Sequence, residues 1–283
     1  MTTDMKEANN DMALRSIELC AGYGGFTLGL RDYGVSTVAY VERDSYAASI
    51  LVARMEEKRL DQAPVWDDLC TFDGTAWRGR VDLITAGFPC QPFSTAGKQQ
   101  GVDDDRWIWP DIARIIGDVG PSFVFLENVT GLIRAGLPHV LADLADLGFD
   151  AEWGVLSAAD VGAPHRRQRV WVLAYAAGAR RCRFRPERLA STCDGSVADP
   201  VSALGHSQGG PPSGRGFPPG PDDELGWVLW RESGGSQPAV RRGPDGRPAG
   251  LADALHLGGN GLVPATAAEA FKQLLNRADI GPS

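Results

Sequence analysis

The stretch IELCAGYGGFTLGL, residues 17–30, decides how the chain folds. It closes a short apolar strand, LRSIEL, turns through the glycines of residues 21–25, and resumes as FTLGLRDYG, a helix pattern that Gly34 would stop. A strand running through glycines straight into a helix is the opening unit of an α/β sheet. Gly22, Gly24 and Gly25 allow a tight turn and let a ligand approach the backbone, and the helix start offers unpaired N–H groups. Twenty positions after Gly22, Glu42 ends the next apolar run, VSTVAYVE. An acid there can accept hydrogen bonds from the two hydroxyls of a ribose. The GYGG spacing departs from the usual dinucleotide pattern, so a nucleoside-type cofactor fits better, with a dinucleotide or a purely structural turn as competing readings. Asp68, beyond the short segment APVW, is either an acceptor for an adenine amino group or an ordinary surface acid of the WDDLC turn.

Outward from this unit the βα rhythm continues. DSYAASILVARMEEKR reads as a helix with Asp44 or Ser45 as N-cap, VDLITAG as a strand, WPDIARIIGDVG as a helix, and SFVFLENV as a strand. LPHVLADLADLG is a helix closed by Gly148, and FDAEWGVLSA and RVWVLAYA supply two more strands. Strands of continuous apolar content between amphipathic helices predict a parallel or mostly parallel sheet covered on both faces. The segment NGLVPATAAEAFKQLLNRA predicts an amphipathic helix with Pro264 near its start and Leu262, Phe271, Leu274 and Leu275 for the core. From residue 178 to 250 the chain turns to Gly, Pro, Ser and Arg, which is loop chemistry.

At 283 residues, 43% of them hydrophobic, the chain can build one substantial core and a smaller module. No apolar run nears the ~18 residues that cross a bilayer. Residues 1–13 are polar and acidic, expected as a disordered lead-in without a signal-peptide core. Five cysteines with no CxxC or Cys/His spacing point away from a metal site and toward a reducing, cytoplasmic setting. The net charge of −8 argues against nucleic acid, but residues 165–188 hold eight arginines against Glu187. Such a strip suits a protein that grips a phosphate backbone on one face.

GFPCQPFS, residues 87–94, follows the strand VDLITAG. Cys90 therefore stands past the carboxyl end of a strand, where open α/β sheets bind ligands. Pro89 and Pro92 stiffen its backbone, and Gln91 and Ser94 flank it with hydrogen-bonding groups. A nucleophilic thiolate explains this placement better than a small buried hydrophobe does. ENV puts Glu127 at another strand end, poorly solvated and able to carry a proton, and RRQRVWV brings Arg167 and Arg169 to the mouth of a strand. Trp107 and Trp109 either pack over a ligand or fill the core.

In this order the segments resemble the DNA (cytosine-5)-methyltransferases. IELCAGYGGFTLGL is similar to the family's first motif and VERDSYA to its second. GFPCQPFS resembles the nucleophile motif, GKQQGVDDDRWIW the segment after it, and ENV the glutamate motif. RRQRVWV resembles the arginine motif and GNGLVPATAAEAF the closing helix. Departures are His165 where glutamine is common, DRWIWP in the segment after the nucleophile, and no clear motif before the closing helix, where Arg241 or Arg242 stands.

The resemblance implies a Rossmann-like S-adenosylmethionine-dependent methyltransferase sheet over residues 14–177. It also implies a small irregular target-recognition domain over 178–250 and a returning helix in 251–283. It implies a methyl transfer from S-adenosyl-L-methionine to carbon 5 of a flipped-out cytosine in double-stranded DNA. Cys90, Glu127, Arg167 and Arg169 would be catalytic. Cys20, Ala21, Gly22, Gly24, Gly25, Phe26, Glu42, Arg43, Asp68, Leu69, Gly87, Pro89, Asn260 and Leu262 would line the cofactor, with no metal. Gln91, Ser94, Arg180, Arg181, Arg183 and Arg185 would meet DNA. The chain would act as a monomer, in a bacterium or a phage-infected host, with a cognate restriction endonuclease as a partner. RNA methylation by the same chemistry and a non-catalytic DNA-binding role are the alternatives. A nicotinamide dehydrogenase fits poorly, since no hydride-transfer His/Arg arrangement accompanies the glycines.

Overall fold

A computed structural model describes residues 14–89, 107–163, 166–177, 179, 241–242, 248–249 and 261–280. Cys90, Gln91, Ser94, His165, Arg180, Arg181, Arg183, Arg185, Asn260 and most of residues 178–250 lie outside the described residues. The chain divides into two compact units. Met1–Leu156, Gln168–Cys193 and Leu262–Ser283 form one, and Ser157–Arg167 with Asp194–Gly261 the other.

The first unit is built on a seven-stranded sheet in the order β3-β2-β1-β4-β5-β7-β6. The strands are β1 (Leu14–Leu19), β2 (Val35–Val41), β3 (Val65–Trp66), β4 (Leu83–Gly87), β5 (Phe123–Val129), β6 (Phe149–Ser157) and β7 (Gln168–Ala176). The pairs of β1 with β2 and β4, β2 with β3, and β4 with β5 are parallel. β7 runs antiparallel to β5, with Glu127 opposite Trp171 and Val129 opposite Arg169. From β1 to β5 the sheet is parallel, and β7 reverses it, which a βα rhythm does not reveal. Its consequence is that β7 begins at the edge where β1, β2, β4 and β5 end.

Side chains alternate across the strands, and both faces are covered. On one face Ile17, Leu19, Ile84, Ala86, Val124, Leu126, Val170, Val172 and Ala174 share a core with α3 (Trp109–Val119) and α5 (Leu137–Asp146). From α3 come Trp109, Ile112, Ile115, Ile116 and Val119, all buried. Side chains of this size each contribute roughly 1.5–3 kcal/mol on full burial, which is why a periodic helix commits to the sheet. Trp107 and Trp109 belong to this core, and Trp109 Nε1 donates to Asp143 at 2.7 Å.

The other face carries α1 (Gly25–Leu30), α2 (Ser45–Glu56) and α6 (Pro264–Arg277). Asp44 caps α2, its side chain accepting from the Ala47 N–H. Phe26 of α1 and Phe271 of α6 meet Phe125 at ring distances of 5.4 and 5.0 Å, and Trp171 stacks on Phe125 at 5.4 Å. Tyr33 sets its ring edge-on to Phe271 and donates its hydroxyl to the Ala268 carbonyl. α1 and α6 approach so closely that a Cβ on Gly29 would stand 2.5 Å from the Pro264 oxygen. The fourth helix, α4 (Leu132–Ala135), is a single turn after β5.

In the second unit Ser157 and Asp160 form a capping box around the turn Ala158–Val161, and β8 (Arg241–Arg242) pairs antiparallel with β9 (Pro248–Ala249).

Candidate active site

Chain order runs β1, β2, β3 to one side of the sheet and then β4, β5 to the other. The direction reverses between β1 and β4, so a crevice opens outside their carboxyl ends. Of the residues singled out in the sequence, the glycine turn, Glu42, Asp68, Gly87, Glu127 and Arg169 come to this edge.

After β1, Cys20 takes φ 51, and Gly22 and Gly24 follow with φ 55 and 85. Gly24 is required twice over: its backbone is left-handed, and a Cβ would come within 2.7 Å of Leu60. Burial and the nearby Glu42 carboxylate push the Cys20 thiol above its ordinary range, which disfavours the thiolate that a nucleophile needs. Glu42 lies one strand away. Its Oε2 accepts the Gly22 N–H at 2.6 Å and its Oε1 the Asp44 N–H at 2.7 Å. The carboxylate therefore clamps the turn from the next strand, and each oxygen keeps a second lone pair for a ribose hydroxyl. Arg43, beside it, is exposed. Beyond β3, Asp68 caps the turn Leu69–Thr71, with Oδ1 accepting the Cys70 N–H at 3.0 Å. Leu262 enters from the approach to α6, its carbonyl accepting the Tyr23 hydroxyl.

Glu18 is the group that sequence reasoning missed. It points into the sheet's helical face, 1% exposed, and takes the Phe26 and Thr27 N–H groups at 3.0 Å each and the Thr27 hydroxyl at 2.6 Å. Thr37, Ser16 and Tyr40 extend the network. Glu42 and Glu18 thus hold the turn at its start and its end. The available signal was an acid inside an otherwise apolar strand, which must find donors or stay neutral.

Burial pushes the Glu18 carboxyl from its ordinary 4.5 up to about 7, against the opposing hydrogen bonds from Thr27 and Phe26. Between those two values the unfolded chain has released this proton and the folded chain still holds it. Its contribution to stability therefore falls as pH rises through that window and levels off above it, by about 3 kcal/mol in all. Glu18→Gln removes the titration. Denaturation of both proteins from pH 5 to 8 should show the wild type losing stability relative to the variant as pH rises. Parallel profiles would contradict it.

At the centre, Gly87 of β4 is in register with Glu127 of β5. Phe88 is buried and Pro89, the last described residue before Cys90, is exposed. Asn128 sends its amide to the Phe88 carbonyl at 2.9 Å, so the glutamate strand holds the backbone two residues ahead of the cysteine. Glu127 and Arg169, approaching from oppositely directed strands, pair at 2.8 Å between Oε1 and Nε, with side chains 10% and 19% exposed. The Arg169 guanidinium thus stands directly against the Glu127 carboxyl. Arg167 precedes β7 and falls in the second unit, where its carbonyl accepts the Ala158 N–H at 3.1 Å. Among the described residues no group of three or more His, Cys, Asp or Glu could hold a metal ion. No helix among them is long and apolar enough to cross a membrane.

Comparison with known proteins bears directly on this edge. The model of the C-5 cytosine-specific DNA methylase family matches residues 14–190. The type II methyltransferase M.NgoMIV of Neisseria gonorrhoeae is 38% identical over 167 residues, covering 58% of this chain and 52% of that protein. The type II methyltransferase M.CviJI of Paramecium bursaria Chlorella virus IL3A is 35% identical over 166 residues, 58% of this chain and 43% of that one. Among solved structures, the Dnmt2 methyltransferase of S. pombe overlaps 58% of this chain and 50% of its own, at 23% identity and a TM-score of 0.47. The chain spans about half the length of the curated relatives it matches.

Proposed function

Because the chain belongs to the C-5 cytosine-specific DNA methylase family, we propose that it transfers a methyl group from S-adenosyl-L-methionine to carbon 5 of cytosine in double-stranded DNA. The observation that carries this reading is the Glu127–Arg169 pair, held beside Gly87 at the edge that also presents the glycine turn and Glu42.

The residues present suit the cofactor. Glu42 offers carboxylate oxygens to a ribose, Asp68 an acceptor to an adenine amino group, and Cys20 to Phe26 a backbone turn open to close approach. Leu69, Gly87, Pro89 and Leu262 would complete the walls, with Arg43 and Asn260 at the margin. When bound, the cofactor supplies an electrophilic methyl on a sulfonium, which carbon 5 of the activated ring accepts.

Cytosine is too weak a nucleophile at carbon 5 to react unaided. The Cys90 thiolate forms a bond to carbon 6, and the electron pair of the 5,6 double bond shifts into the ring and makes carbon 5 nucleophilic. Glu127 hydrogen-bonds the ring N3 and the exocyclic amine, where charge changes as sulfur attacks, and Arg169 holds the O2 edge. A base then takes the carbon 5 proton, and the carbon–sulfur bond breaks to restore the double bond and return the thiolate. The ring face that Cys90 must reach is hidden in a duplex, so the nucleotide is swung out of the stack.

Gln91, Ser94 and the arginines at 180, 181, 183 and 185 are assigned to DNA, and residues 178–250 to target choice. A cognate restriction endonuclease is the partner expected of such an enzyme. Bisulfite sequencing of plasmid DNA from cells expressing the chain tests the reading. Protected cytosines should recur in one short sequence context, and complete conversion at every cytosine would contradict it.

A further inference from the structure

The turn that carries Asp68 and Leu69 is only three residues of 3-10 helix, Leu69–Thr71, held within itself by the Asp68 cap on the Cys70 N–H and by the Thr71 hydroxyl on the Asp68 carbonyl, and its remaining carbonyls need partners from outside. Those partners come from α3. Arg114 donates from Nη2 to the Leu69 carbonyl at 2.7 Å and the Cys70 carbonyl at 3.4 Å, and from Nη1 to the Phe72 carbonyl at 3.1 Å. One guanidinium thus gathers three carbonyls of a single bend. Asp111, one helical turn earlier, accepts the Cys70 thiol at 3.4 Å, and Asp111 and Asp118 pair with Arg114 at 3.5 and 3.3 Å. Phe72 is buried just beyond, between the rings of Trp66 and Trp77.

Arg114 is more than a surface ion pair. Its side chain is 38% exposed, so the attraction of the two aspartates is screened and worth little. What it supplies is geometry: a planar fork whose several N–H groups meet several acceptors at once, which a lysine ammonium on a flexible stem does not reproduce.

We propose that Arg114 is a positioning residue for the methyl donor, holding the Asp68–Leu69 turn in the shape that receives the donor's adenine. The proposal rests on the cofactor reading above. Without the brace, the competent shape of the turn becomes a fraction of an ensemble, and apparent affinity falls by that fraction. If the fraction drops to about a tenth, the dissociation constant rises about tenfold. Chemistry at saturating donor is untouched, because the turn meets only the nucleoside end.

The test is calorimetric binding of S-adenosylhomocysteine to the full chain and to R114A, R114K, D68N and R114A/D68N. D68N keeps the cap, since the Asn oxygen still accepts the Cys70 N–H, but presents an amide nitrogen to an amino donor. R114A should bind about tenfold more weakly and R114K should recover little of that. The loss should appear in the donor's KM and not in kcat. D68N should weaken binding alone, and its loss should multiply with that of R114A, because the brace sets how often the turn is competent and Asp68 sets how tightly the competent turn binds.

Unchanged binding by R114A and R114K would overturn the proposal while leaving the cofactor reading intact. So would a loss carried by kcat. Unchanged binding by D68N would remove the turn from the donor site. Failure of the wild type to bind S-adenosylhomocysteine would overturn the cofactor reading itself, and this proposal with it.

Discussion

Cys90→Ser is expected to transfer methyl groups to duplex DNA at least about 10³-fold more slowly than the wild type, the scale on which removal of a catalytic nucleophile is felt. The argument is chemical. A thiolate is available near neutral pH, especially near cations, whereas a serine hydroxyl at the same place stays protonated and attacks carbon 6 poorly. The substitution leaves every residue assigned to the cofactor unchanged, so S-adenosylhomocysteine should bind both proteins equally. Transfer of a labelled methyl group, measured beside calorimetric binding, separates the two effects. Wild-type turnover by the serine variant would remove the covalent mechanism, whereas loss of turnover together with cofactor binding would mean that the substitution had damaged the fold.

Glu127→Gln should cost at least about 10²-fold in the chemical step, the usual loss when one preorganised charge-stabilising group is removed. The glutamine fills the same volume but cannot match the changing charge at N3 and the amine. It also leaves the half-buried guanidinium of Arg169 without its carboxylate partner. An unpaired charge in such surroundings is costly, so Arg169 should shift and some stability should be lost as well. Single-turnover kinetics at saturating donor and DNA report the chemistry, and thermal denaturation reports the structural part. A single-turnover rate equal to that of the wild type would reduce Glu127 to an ion-pair partner with no part in the reaction.

Much of the fold could be read from the sequence because its signals are local. Continuous apolar strands, the Asp44 cap, Gly34 and Gly148 as stops and Pro264 at a helix start each act within a few residues, and each element stands where these place it. The strand order was not legible, since pairing depends on crossovers. The reversed β7 was hidden for the same reason, and that reversal is what lets Arg169 face Glu127 across neighbouring strands.

Of the site, Glu42 could be found from its spacing to the glycines. Glu18 and Arg114 could not. Their work is to hold backbone groups 8 to 45 positions away in the chain, and no short pattern records a side chain's distant acceptor or donor. Trp107 and Trp109 were undecided between ligand and core, and burial against Phe88 settles them as core. Cys90, Arg180, Arg181, Arg183 and Arg185 lie outside the described residues, as does most of the target region.

The most direct measurement uses a duplex carrying 5-fluorocytosine at the methylated position identified by bisulfite sequencing, incubated with the protein and S-adenosyl-L-methionine. Fluorine cannot leave as a proton does, so the enzyme should stall as a stable protein–DNA species whose mass includes the transferred methyl, with the linkage mapping to the peptide that contains Cys90. Active turnover on ordinary DNA with no such species, or a linkage through another residue, would contradict the account.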